Sequence, residues 1–88
     1  INEEGKKFLY DELRSLKIDY VPTEANFIFI ILKEKRASEL YNDLLKEGVI
    51  VRPMGSSEIR VTIGLPEENR RFIQALKKIR KNEVLAKA

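Results

Sequence analysis

Neither cysteine nor histidine occurs in this sequence. Without cysteine there is no disulfide, no thiolate nucleophile and no sulfur ligand for a metal. Without histidine there is no imidazole to move protons near neutral pH, which excludes a histidine-based triad or metal site. The chain is therefore expected to carry no catalytic residue and no metal site, and the reacting groups of any reaction it serves lie largely elsewhere. Long apolar runs are lacking too. The best of them, FIFIIL at 27–32, is strand-sized and far short of the roughly 18 residues of a membrane span.

What remains is enough for one domain. A chain of 88 residues holds a single modest core, and 43% hydrophobic with 35% charged residues is the balance of a globular fold. The net charge of +3 comes from interleaved acids and bases, with lysines gathered near the C-terminus. Such basic stretches read as solvated helix faces, so neither nucleic acid nor membrane is expected as a partner. The chain opens with Ile1, and a piece of a longer polypeptide is the expectation.

Residues 2–16, NEEGKKFLYDELRSL, put Phe8, Leu9, Leu13 and Leu16 on one helical stripe. Asn2 suits an N-cap, and Glu3 and Glu4 suit the positive end of the helix dipole. Pro22 then stops any helix, and the chain turns extended. Residues 26–32, NFIFIIL, are apolar on both faces, Phe27, Phe29 and Ile31 on one and Ile28, Ile30 and Leu32 on the other. This predicts a strand covered on both sides.

Residues 36–47 give a second helix through Ala37, Leu40, Tyr41, Leu44 and Leu45, closed by Gly48. Strands are predicted at 49–52 and 58–63. Pro66 opens the last helix, with Phe72, Ile73, Leu76 and Ile79 inward, and its NEVLAKA tail is expected to fray. The order α-β-α-β-β-α predicts an α+β fold. A crossover followed by a hairpin gives a three-stranded, mostly antiparallel sheet of order 1-3-2, with the helices on one face. The opposite face finds few partners within the chain, from which a neighbouring domain or subunit is expected.

The segment GVIVRPMGSSEIRVTIG, residues 48–64, carries one arginine in each of its two apolar strands. Packing Val49, Val51, Ile59, Val61 and Ile63 on one core face fixes the register parity, and that parity puts Arg52 and Arg60 together on the other face. Two like charges within cross-strand reach are destabilising alone. An anion between them reverses the sign, and guanidinium forks grip carboxylate or phosphate through paired hydrogen bonds. Ser56 and Ser57 in the connecting loop are candidate accessory donors. The competing reading is two surface arginines lying over apolar neighbours or pairing with Glu58.

Taken together, TEANFIFIIL, LLKEGVIVRPM and EIRVTIGLPEENRRFIQALKKI resemble the C-terminal small domain of the histidinol-phosphate aminotransferases, fold-type I enzymes of class I/II that depend on pyridoxal phosphate. The resemblance covers about residues 3–81. It implies that Arg60, in EIRVTIG, binds the distal phosphate or carboxylate of a phosphorylated small-molecule substrate, that Arg52, in VIVRPM, joins the same site, and that Asn26, in EANF, is an accessory position. It also implies a cytoplasmic, homodimeric enzyme that moves an amino group between glutamate and imidazole-acetol phosphate. The large cofactor-binding domain belongs to another part of that polypeptide. Pyridoxal phosphate is accordingly expected in the full-length enzyme and not on residues 1–88 alone, since none of the lysines here sits in a cofactor-attachment motif.

The chain departs from the family pattern at Leu65, where Thr is common before Pro-Glu-Glu-Asn. The missing side-chain cap is worth up to about 1 kcal/mol. Alternatives in the same superfamily are an aromatic aminotransferase or a phosphothreonine-type decarboxylase. An alternative of another class is a stand-alone interaction or dimerisation module that uses the uncovered sheet face.

Overall fold

The computed structural model describes residues 3–33 and 35–87. Leu9 and Leu13, spaced one helical turn apart, are fully buried and anchor the first helix, α1 (Glu3–Ser15). The expected cap at Asn2 lies outside the described residues. The helix closes with Lys17 at a φ of 59°. Lys17 N–H donates to the Arg14 carbonyl and Ile18 N–H to the Leu13 carbonyl, the paired bonds of a Schellman ending.

The next residues form a strand that the sequence pattern did not single out. Asp19–Val21 (β1) pairs antiparallel with Phe27–Ile31 (β2), placing Tyr20 opposite Ile30. Three residues are too few to show an alternation, and β1 is held by its surroundings. The Tyr20 ring stacks on Tyr10 of α1 at 4.8 Å between centroids. The ammonium of Lys6, a buried residue of α1, donates to the Thr23 carbonyl at 2.8 Å.

The second helix, α2 (Ala37–Lys46), buries Ala37, Leu40 and Leu44. It ends at Gly48, whose φ of 78° is a backbone conformation glycine adopts without a Cβ clash. Here Val49 N–H bonds back to the Leu44 carbonyl at 2.9 Å. That bond commits Val49 to the helix terminus, so the strand expected at 49–52 starts only at Arg52: β3 is Arg52–Met54. The partner strand β4 is Glu58–Thr62, one residue shorter than expected, and Ile63 N–H still reaches the Asn26 carbonyl.

The sheet has four strands in the order β1-β2-β4-β3, and every adjacent pair is antiparallel. The expected three-stranded sheet is thus corrected by β1, which adds to the free edge of β2. With β4 between them, β2 and β3 run parallel, and α2 makes the crossover.

One sheet face carries Ile28, Ile30, Ile59 and Val61, all buried with Leu40, Leu44, Phe72, Ile73 and Leu76 of the helices. The last helix, α3 (Pro66–Lys87), lies against α1 and α2 and extends into the segment expected to fray. The other sheet face carries Phe27, Phe29 and Ile31, which stay half-buried. The expected second covering layer over β2 is not supplied by the described residues of this chain.

Leu65 leaves α3 without a side-chain cap, and two neighbours compensate. Glu68 accepts from Leu65 N–H at 2.8 Å, the returning half of a capping box. Asn69, 3% exposed, accepts from Gly64 N–H at 2.9 Å and donates to the Gly64 carbonyl at 3.1 Å. Asn69→Ala removes both bonds and is expected to lower stability by about 2 kcal/mol, read as the urea midpoint of the 88-residue chain. Lys17→Gly relieves the left-handed backbone of a residue with a Cβ and is expected to raise stability by about 1 kcal/mol. An unchanged or lower midpoint for Lys17→Gly contradicts this account of the α1 terminus.

Candidate functional site

The β3–β4 register sets Arg52 directly opposite Arg60, with Pro53 opposite Ile59 and Met54 opposite Glu58. Directly opposed residues share a face, with Cβ atoms about 4.5–5.5 Å apart. Because Ile59 and Val61 point into the core, alternation sends both arginines out through the face that carries no helix. Arg52 is exposed and Arg60 half-buried.

Nothing in the described chain neutralises the two guanidiniums. Glu58 shares their face, two residues from Arg60 on β4, yet it forms no ion pair with either, while the lysines and Arg14 take up Asp11, Glu12, Asp19, Asp43 and Glu47. The Arg60 guanidinium carbon lies over the Phe27 ring, 5.1 Å from the centroid. Phe27 in turn meets Phe29 edge to face at 5.4 Å. The face is thus divided. Val21, Phe27, Phe29 and Ile31 make an apolar half on β1 and β2, and Arg60 and Arg52 make a cationic half on β4 and β3. Chemically, the cationic half offers ten N–H donors and no acid or base, because arginine keeps its proton.

The accessory candidates lie apart. Ser56 and Ser57 occupy the β3–β4 turn, where their carbonyls accept from Ala37 N–H at 2.9 Å and Leu32 N–H at 2.7 Å. Those bonds fasten the turn to the start of α2 and the end of β2. Asn26 is exposed at the other end of β4, and its carbonyl accepts from Ile63 N–H at 2.8 Å. From Ser57 to Ile63 is about 20 Å of strand, so one small anion does not reach both ends. The register brings the two arginines together, with the two serines toward one end of β4 and Asn26 at the other.

Two residues that the sequence reading did not single out belong to the site's frame. Phe27 lies under Arg60. Asn69 braces Gly64, the residue through which β4 passes into α3. Sequence offered a signal only for Phe27, whose alternation groups it with Phe29 and Ile31, and the structure puts that face away from the core. Among the described residues, no group of acidic side chains is placed to hold a metal ion, and no helix is long and apolar enough to cross a membrane.

Comparison with known proteins bears on what such a pair serves. The histidinol-phosphate aminotransferase of Symbiobacterium thermophilum is 46% identical over 81 residues, covering 88% of this chain and 22% of the relative. The crystal structure of the histidinol-phosphate aminotransferase from Clostridium acetobutylicum superposes with a TM-score of 0.82 at 26% identity, over 91% of this chain and 26% of that one. The L-threonine-O-3-phosphate decarboxylase of Porphyromonas gingivalis shares the fold, with a TM-score of 0.71 at 24% identity over 89% of this chain and 27% of its own. The chain therefore spans about a fifth to just over a quarter of the length of these proteins. The family model for aminotransferase class I and II matches residues 3–76, a stretch that holds the whole sheet and both arginines, and the chain belongs to that family.

Proposed function

We propose that this chain is the small C-terminal domain of a histidinol-phosphate aminotransferase and that Arg52 and Arg60 grip the phosphate of its substrate. The observation that carries the reading is the cross-strand arginine pair, without a carboxylate partner among the described residues. Two like charges held opposite each other are unfavourable until an anion joins them. A phosphate dianion presents enough acceptor oxygens for both forks.

The role of this chain in catalysis is to bind and orient. A phosphate held remote from the reacting carbon uses its binding energy to place the amine or carbonyl end of the substrate. Pyridoxal phosphate, when bound, supplies the electron sink for amino transfer between glutamate and imidazole-acetol phosphate. On this reading no lysine of residues 1–88 carries the cofactor. Lys6, a buried lysine of α1, already donates to the Thr23 carbonyl at 2.8 Å.

The reading therefore assigns the cofactor to the large domain of the same polypeptide. The apolar half of the helix-free face suits contact with another part of that polypeptide. The proposal further takes residues 1–88 as one domain of a cytoplasmic homodimer, with neither nucleic acid nor membrane as partner.

In the full-length protein, Arg60→Ala is expected to raise KM for histidinol phosphate at least tenfold, the loss of a charge-assisted hydrogen-bond pair of about 1.5–3 kcal/mol. Turnover of amino acids without a phosphate should change far less. An equal effect on both substrate classes, measured by steady-state kinetics, counts against the phosphate role. The isolated 88-residue chain, incubated with pyridoxal phosphate, glutamate and imidazole-acetol phosphate, is expected to give no turnover, and measurable product overturns the assignment of the chemistry to the large domain.

A further inference from the structure

The Arg60 guanidinium does not project freely from the sheet. Across β2 the residue directly opposite Arg60 is Phe29, yet the guanidinium carbon lies over Phe27, 5.1 Å from its ring centroid. The side chain therefore reaches diagonally along the sheet, past its direct neighbour. Phe27 is itself set by Phe29, whose ring meets it at 78° and 5.4 Å. Two aromatic rings thus form a seat whose upper face receives one cation.

A ring face attracts a cation through its quadrupole and takes up none of the carboxylate-type geometry of the guanidinium. Among the described residues no protein acceptor or carboxylate engages Arg60. Its in-plane donors remain available to an anion while the ring holds the group from below. The seat also lies on β2, on the side of β4 away from Arg52 on β3. It therefore draws Arg60 toward β2 and away from β3, the strand that carries Arg52.

We propose that Phe27 is the positioning residue of the anion site: its ring preorganises the Arg60 guanidinium for the phosphate. The inference rests on the phosphate reading of the arginine pair and adds the group that orients it. A preset guanidinium loses less freedom on binding, so removing the seat weakens affinity without touching the chemistry.

The test uses the full-length protein, with inorganic phosphate as the titrated probe and histidinol phosphate as the substrate. Phe27→Leu keeps apolar bulk and removes the ring face. It is expected to weaken phosphate binding about two- to fivefold, as for an exposed cation–π contact, and to raise KM by the same factor with kcat unchanged. Phe27→Tyr keeps the face and should restore both values. Phosphate affinity unchanged in Phe27→Leu, or not restored in Phe27→Tyr, overturns the role of Phe27. If Arg60→Ala still abolishes phosphate binding in that case, the site itself stands; if Arg60→Ala also binds phosphate normally, the arginine reading fails and the inference with it. Should Phe27→Leu not fold, the unsubstituted protein decides by nuclear magnetic resonance. The Arg60 Nε–H resonance should lie upfield of that of Arg52 through the ring current, and coincident shifts overturn the proposal.

Discussion

The pairing of two short strands decides most of what this chain offers. Ile59 and Val61 must face the helices because nothing else on β4 can fill the core, and that demand fixes the parity of every residue on the strand. Arg60 is turned outward as a consequence, and the register then brings Arg52 directly opposite. A slip of one residue would bury a guanidinium and expose two core side chains. Hydrophobic burial on one face thus holds like charges together on the other.

The layer above the sheet makes that demand strict. Leu9 and Leu13 from α1, Leu44 from α2, and Phe72 and Ile73 from α3 converge on Ile28, Ile30 and Ile59. Side chains so enclosed leave no slack for an alternative register. The connections at each end are fixed by backbone bonds. The Ser56 and Ser57 carbonyls fasten the turn before β4, and Asn69 braces the Gly64 exit after it. Serines expected as ligand donors thus have a structural task, met by their main chain.

The parts legible in sequence were those with a period. The three helices follow the spacing of leucine and isoleucine, and the outward parity of both arginines follows from simple alternation. The missed parts have no period to read. β1 is three residues long and exists because Tyr20 stacks on Tyr10 and Lys6 holds the loop beyond it. β3 begins late because Val49 completes the α2 terminus, a bond that the valine's strand propensity conceals. Phe27 was legible as sharing a strand face with Phe29 and Ile31, but its diagonal contact with Arg60 depends on a side-chain conformation that no pattern encodes.

The two arginines also differ in how firmly they are mounted. Arg60 stands on β4, flanked on both sides by paired strands. Arg52 opens a three-residue margin strand of exposed residues, whose middle residue is Pro53, an imino acid with no N–H to give a neighbour. In the proposed anion grip, the pair is a vice with one bolted jaw and one sprung jaw, in which the compliance of a sheet edge would set how wide an anion is accepted.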